Sequence, residues 1–417
     1  MDLCNSLHPV PSAWLGESDL ATFVPAYVQR LVSRRYAVAT VRVYVHCVAH
    51  FAHWTHHCRL FAEDITDDVV QCFLDKHLPI CKCSTPVQRS RHQVRAALRQ
   101  LLSTLLDQGV LSNDTSPDRV EAQLAQFNIY MKDARGLAES TRTRRLSVIR
   151  SLLRMRLAVD ANTNEMAVPS ADELRQFISR ELKRISPASA SSLAGALRGY
   201  LRFLAISGAR VEHLLPIIAS PACWRLASLP QTLSQSEIEQ LLEAFPPEIP
   251  SHRRGYAMVR CLVDLGLREC EVTNLELDDI DWQAGTLRIN KGKARRVDVM
   301  PLPHSTGNAI AAYLRSERPT TVSRRVFVRH IAPVDKPILP DVVRNTVRQA
   351  YLRCGLPYTR VHILRHTLAR QLLKTGGTLK EVADMLRHRA LDTSMIYAKV
   401  DFERLRAVVM PWPGSNS

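Results

Sequence analysis

The sequence predicts an α+β protein that is mainly α, with two N-terminal helical domains followed by a mixed domain holding a small antiparallel sheet. Three observations predict it. Helical patterns in the first half recur with a register near a hundred residues. A Pro-, Ala- and Ser-rich stretch, Pro216 to Pro230, then breaks the pattern. Beyond it, two short β-type runs flank a Lys-Gly-Lys turn among further helical runs. At 417 residues the chain exceeds one ordinary core, and boundaries at 1–113, 117–228 and 229–417 follow.

The elements support this in order. Phe23 to Trp54 reads as helix, break and helix, the second opening at Ala39-Thr40-Val41-Arg42. Gln126 to Met155 repeats that layout and opens its second helix at Glu139-Ser140-Thr141-Arg142. Ser and Thr at these starts suit N-caps. Thr66 to Leu74 parallels Ser170 to Ile178, Ala97-Leu98-Arg99 parallels Ala196-Leu197-Arg198, and Gly109 parallels Gly208. Two copies of one helical unit account for this most simply. In the first copy, Val41, Tyr44, Val45, Val48 and Ala52 form the expected core face. His46, His50, His53 and His57 lie on the other face and are expected to point outward.

Ser234, three residues before Glu237, signals a helix start in the third domain. Strands are expected at Leu287–Asn290 and Val297–Met300, around Lys291-Gly292-Lys293-Ala294. Helices are expected at Ser305–Arg315, Pro340–Cys354, His362–Thr375, Leu379–Leu386 and Thr393–Tyr397.

The net charge of +16 favours a polyanionic partner, above all nucleic acid. Thr141-Arg142-Thr143-Arg144-Arg145, Arg150, Arg154 and Arg156 concentrate that charge in a run with few acidic residues, which suits phosphate contacts by Arg142, Arg144, Arg145, Arg150 and Arg154. No apolar stretch is long enough to span a bilayer, so no membrane partner is expected. The N-terminus lacks a secretory pattern, so a cytoplasmic, nucleoid-associated location is expected. The ten cysteines are scattered and are expected to be free thiols. Cys81-Lys82-Cys83 and the run His53 to Cys58 invite a zinc reading, but neither has Cys-x-x-Cys spacing, so no metal is assigned.

The densest chemistry lies near the C-terminus. His362-Ile363-Leu364-Arg365-His366 is followed by His388 and, nine residues later, Tyr397. Such a set can hold a phosphodiester and attack it. Metal-free cleavage needs fixed cations for the transition-state charge, an in-line nucleophile and an acid for the leaving 5′ oxygen. Arginine suits the first task because its planar fork binds two oxygens and stays protonated. His362 and Arg365, three apart, share a helix face.

Together with Leu265-Gly266-Leu267-Arg268-Glu269-Cys270-Glu271-Val272 upstream, and Gly292-Lys293 with Pro301-Leu302 beyond it, this pattern resembles the tyrosine recombinases, the phage integrase family. The resemblance covers residues 229 to 417 firmly. It implies that Arg268 and Arg365 clamp the phosphate, with Glu271 able to orient Arg268. Lys293 would protonate the leaving oxygen, with Lys291 a rival for that role. His362 would assist proton movement, His388 would bond the phosphate, and Tyr397 would be the nucleophile. His366 is expected to point elsewhere. The family commonly has Gly where Arg387 stands; Arg387 either alters that turn or adds a DNA contact.

The resemblance implies a site-specific recombinase or integrase working through a 3′-phosphotyrosine intermediate and a Holliday junction, without ATP or another cofactor. It also implies a core-binding (SAM-like) helical domain and a synaptic tetramer on double-stranded DNA sites, with partner recombinases or accessory proteins possible. The C-terminal segment Phe402 to Met410 would pack on a neighbouring protomer. The additional N-terminal repeat fits a mobile-element integrase or transposase. Two other classes stay open: a non-catalytic DNA-binding accessory protein and a type IB topoisomerase-like enzyme.

Overall fold

A computed structural model describes residues 8–111, 119–159, 168–219, 230–289, 297–334, 336–387 and 395–398. The chain forms two compact units, one from residues 1–111 and 228–417, the other from 112–227. The described residues are mainly helical with one three-stranded antiparallel sheet.

The N-terminal part of the first unit contains α1 (Pro9–Gly16), α2 (Val24–Ser33), α3 (Val38–His57), α4 (Asp67–Cys72) and α5 (Arg91–Asp107). Between α4 and α5 the chain widens into a π-helical turn, Phe73–His77, and then tightens at Leu78–Ile80. Tyr27, Leu31, Val45, Val48, Phe51, Phe73 and Leu98 make its core. The buried Tyr27 hydroxyl donates to the Ala97 carbonyl at 3.1 Å.

The second unit has α6 (Arg119–Asp133), α7 (Glu139–Val159), α8 (Ala171–Leu182) and α9 (Pro187–Ile206), around a core that includes Leu124, Phe127, Leu152, Phe177 and Tyr200. Its turns echo those of the first part. Arg35 after α2 and Gly136 after α6 both have positive φ, at 60° and 57°. Gly109 after α5 and Gly208 after α9 do too, at 70° and 93°. In each case the next N–H bonds a carbonyl in the preceding helix, for example Val110 to Leu105 and Ala209 to Leu204, both at 3.0 Å.

The expected caps differ in detail. Thr66 and Ser170, which the sequence pairs only as parallel positions, cap their helices, accepting from the N–H of Val69 and of Glu173. Thr40 does not, because α3 starts earlier, at Val38. The carbonyl of extended Ala37 already accepts the Val41 N–H at 3.0 Å. Likewise α7 starts at Glu139, leaving Ser140 and Thr141 inside its first turn.

Of the histidine stripe expected to face outward, His57 is exposed and His46 and His53 are half-buried, but His50 needs correction. Val41, Val45, Val48 and Ala52 are buried as expected, but so is His50. Helix α1, which has no strong sequence signature, covers the histidine face: Trp14 stacks on His53 at 4.5 Å. Phe73 meets the His50 ring edge-on at 5.2 Å from the other side.

The rest of the first unit holds α10 (Gln235–Glu243), α11 (His252–Asp264) and α12 (Glu269–Asn274). Then come β1 (Ile280–Asp281), β2 (Thr286–Ile289) and β3 (Asp298–Pro301), followed by α13 (His304–Ser316), α14 (Pro340–Arg353), α15 (His362–Lys374), α16 (Leu379–Met385) and α17 (Met395–Ala398). Ser234 caps α10 and receives Glu237 in return, the box expected from the sequence. Leu287 pairs with Met300 and Ile289 with Asp298, bracketing the lysine turn. Leu287, Ile289 and Met300 point into a core shared with Leu262, Ile310, Phe327 and Tyr351. Lys291, Lys293, His388, the tail Phe402 to Met410 and most of the Pro216–Pro230 linker lie outside the described residues.

Candidate active site

Arg268 enters the site through a tight backbone reversal. Gly266 has φ +57°, and a Cβ there would come within 2.8 Å of Leu386 and 2.9 Å of Leu368. Both facts require glycine, because the reversal packs directly against α15 and the end of α16. Two residues later Arg268 stands at the N-cap of α12. Its N–H donates to Glu271 Oε2 at 2.8 Å and its Nη1 to Oε1 at 2.7 Å.

Glu271 is almost wholly buried and holds a second guanidinium: Arg387 Nη2 donates to its Oε2 at 2.7 Å. Burial alone would push the Glu271 carboxyl up. Arg387 and then the Arg268 N–H and guanidinium outweigh burial and hold it below the usual carboxylate range. Arg387 has φ 54°, a left-handed conformation that L side chains adopt at a cost. Its side chain folds inward, also donating to the Met385 carbonyl at 3.1 Å. The side chain completes the charge network rather than facing outward.

Arg365 rises from the first turn of α15 into the same cluster. Its guanidinium donates to the carbonyls of Gly266 and Leu386, which tie it to the reversal before α12 and to the end of α16. Burial, with Arg268 and Arg387 close by, pulls its pKa down to about 9, while Glu271 and Tyr397 act the other way.

Tyr397, on α17, is buried against Leu368, Ala369, Leu373, Val382 and Leu386. His366 Nδ1 lies 2.9 Å from its hydroxyl, with the rings edge-on at 5.6 Å. Burial raises the phenol pKa, and Arg365 and Arg268 offset only part of that rise. This corrects the expectation that His366 points elsewhere. Residues one turn apart share a face of α15, and α17 packs beside that second turn. His362, in the first turn, is more exposed. Desolvation, opposed by Glu269 and reinforced by Arg365, lowers its pKa. Desolvation, with His362 and Arg365 adding to it, lowers His366 to about 4. The structure thus gathers Arg268, Glu271, His362, Arg365, Arg387, His366 and Tyr397.

The arginine run of the second unit is less uniform than its sequence suggests. Arg150 makes a two-point pair with Glu121 at 2.7 and 2.9 Å, and Arg154 lies 3.9 Å from the same carboxylate. Arg142 donates to Asn128 Oδ1 at 2.8 Å, while Arg144 is exposed. Arg145 instead joins Arg135, Arg198 and Arg202 around a depression floored by Gly195 and Gly199. A Cβ at Gly199 would come within 3.0 Å of the Arg145 guanidinium. Residues from α6, α7 and α9 build this basic pocket, so no contiguous motif announces it. In the first unit, likewise, His50, His77, Cys81 and Cys83 converge, although the sequence assigns no metal there.

The chain has clear relatives. The phage integrase family profile matches residues 231–404. The Sinorhizobium fredii protein y4rA, which carries integrase/recombinase as a provisional name, is 33% identical over 95% of this chain and 96% of its own length. Tyrosine recombinase XerC of Azotobacter vinelandii is 31% identical over 57% of this chain and 78% of its own. The crystal structure of XerH site-specific recombinase bound to palindromic difH substrate, a post-cleavage complex, superposes with a TM-score of 0.52. That likeness covers 70% of this chain and 97% of the XerH chain at 17% identity, and so speaks to the fold.

Proposed function

Because the chain belongs to the phage integrase family of tyrosine recombinases, we propose that it cuts and rejoins duplex DNA at specific sites through a 3′-phosphotyrosine link on Tyr397. The observation that carries this reading is the buried Tyr397 hydroxyl, held 2.9 Å from His366 within the field of Arg365 and Arg268.

In the proposed step the Tyr397 oxygen attacks phosphorus as the bond to the 5′ oxygen breaks. Arg268 and Arg365 neutralise the charge growing on the non-bridging oxygens. Their backbone and Glu271 anchors fix them beforehand, so little reorganisation accompanies the reaction. Neutral His366 is placed to accept the phenol proton, and His362 adds a second imidazole one turn away. Lys293, or its neighbour Lys291, delivers a proton to the leaving 5′ oxygen, and His388 bonds the phosphate. The phosphotyrosine conserves the bond energy, so religation reverses the step with no cofactor.

Among the described residues one hydrophobic core falls within 1–113, a second within 117–228, and a third with its neighbour around Tyr397 within 229–417, which supports dividing the chain there. The second part is proposed to hold DNA through phosphate contacts, with Arg144, Arg145 and Arg154 foremost and Arg142 and Arg150 beside them. Pairing on two sites implies a tetramer, and the helical part before it suits integration or transposition of a mobile element. Among the described residues no helix is long and apolar enough to cross a membrane, in keeping with a nucleoid location.

The test uses nicked suicide duplexes from the DNA flanking the gene. Wild-type protein is expected to form a denaturant-resistant covalent adduct, and Tyr397→Phe to form none. An adduct with Tyr397→Phe, or none with wild type on its true site, defeats the proposal. Strand exchange between two sites separates a recombinase from a type IB topoisomerase.

A further inference from the structure

The N-terminal part of the first unit gathers four side chains that the recombination chemistry does not use. His50 comes from α3, His77 from the end of the π-helical turn, and Cys81 and Cys83 from the loop beyond. Their ligand atoms all lie within 4.8 Å of one another. His50 Nε2 is 3.2 Å from His77 Nε2 and 3.2 Å from Cys81 Sγ, and His77 Nε2 is 3.7 Å from Cys83 Sγ.

These distances match a tetrahedral ion. Zinc, with Zn–S about 2.3 Å and Zn–N about 2.0 Å, sets its ligand atoms roughly 3.3 to 3.8 Å apart. Hydrogen bonding explains the cluster poorly, because thiols are weak donors and each imidazole turns its Nε2 inward toward the others. The Cys83 N–H also donates to Cys81 Sγ at 3.4 Å, which holds the two sulfurs of the loop on the same side.

The surroundings fit a closed structural site. Phe73 stacks on His77 at 5.1 Å and meets His50 edge-on, while Trp14 lies 6.1 Å from His50. Such a shell orients the rings and limits water. The widened turn Phe73–His77 is what carries His77 toward α3, and π-helical turns recur at functional sites.

We infer that His50, His77, Cys81 and Cys83 bind one zinc ion that fastens the loop after α4 to α3. The Cys-x-Cys pair lacks the spacing of common zinc motifs, and its partners come 31 and 4 residues earlier than Cys81, so only the fold unites the set. The site lies outside the residues matched by the family profile, and it stands or falls independently of the recombinase reading.

The full chain, purified under reducing conditions, is analysed for metals by mass spectrometry. About one zinc per chain is expected, as is a tetrahedral cobalt spectrum with thiolate charge transfer after exchange. His77→Ala and the double variant Cys81→Ser with Cys83→Ser should lower affinity at least about 100-fold, the upper end of what even a supporting residue contributes. Cys58→Ser, at an exposed thiol, should retain the metal. Cobalt titration of chelator-stripped wild-type protein decides the matter even if a variant fails to fold. No tetrahedral cobalt spectrum, iron in place of zinc, a Cys81–Cys83 disulfide in the purified protein, or full metal retention by the double variant overturns the inference.

Discussion

The site around Tyr397 and the cluster around His50 solve the burial of polar groups in opposite ways. Near Tyr397, three guanidiniums are brought together and one carboxylate, Glu271, balances them. Near His50 the donors are imidazoles and thiols, with no carboxylate among the four. The first arrangement is held by charge, and removing Glu271 leaves like charges facing each other. The second is held by shared geometry around one point, and its stability depends on what occupies that point.

Glu271→Gln tests this contrast most severely. It keeps the side-chain shape but removes the charge between Arg268 and Arg387. A loss of about 3 kcal/mol is expected, because breaking a buried pair strands its partners. Chemical denaturation measures it, and adduct formation should fall with it. A change near zero would mean that the arginines do not need their counter-ion, and the charge-held description would fail. Adding a chelator to wild-type protein should leave the Glu271 network intact while loosening the region around α3.

Arg387 sharpens the same point at smaller scale. Arg387→Ala and Arg387→Gly both remove the pair with Glu271, but only alanine retains the burden of φ 54°. Glycine should therefore be the more stable by about 1 kcal/mol. Equal stabilities would show that the turn relaxes when the side chain is lost.

The smallest effect is a pH slope. His366 is held neutral by desolvation, His362 and Arg365, and its folded pKa of about 4 lies below the 6.5 of an unperturbed histidine. Between those values the unfolded chain binds more protons than the folded one, so stability falls as pH drops from about 6.5 toward 4. His330, lowered to about 4 by desolvation and Arg254, adds to the slope. His366→Phe should flatten the fall in melting temperature over that window. An unchanged slope would remove His366 from the buried neutral groups.

Much of the fold was legible because local chemistry decided it. The box at Ser234–Glu237 and the strands around the lysine turn are short-range signals. Arg268, Arg365 and Tyr397 were legible because their order and spacing carry a chemical requirement. His366 was misread because its partner lies 31 residues away, on a short helix whose packing no local pattern specifies. His50 was misread because α1 has no strong sequence signature, so the face it covers looked exposed.

By itself the sequence determined the helical first half, the paired strands beyond it, the basic character and the set of residues from which the candidate site is built. Those depend on residue type and near-neighbour spacing. Tertiary structure alone decided that Arg387 turns inward to Glu271, that His366 meets Tyr397, and that two histidines and two cysteines converge. Each of these depends on the packing of elements distant in sequence, where a few ångströms separate a solvated side chain from a bound one.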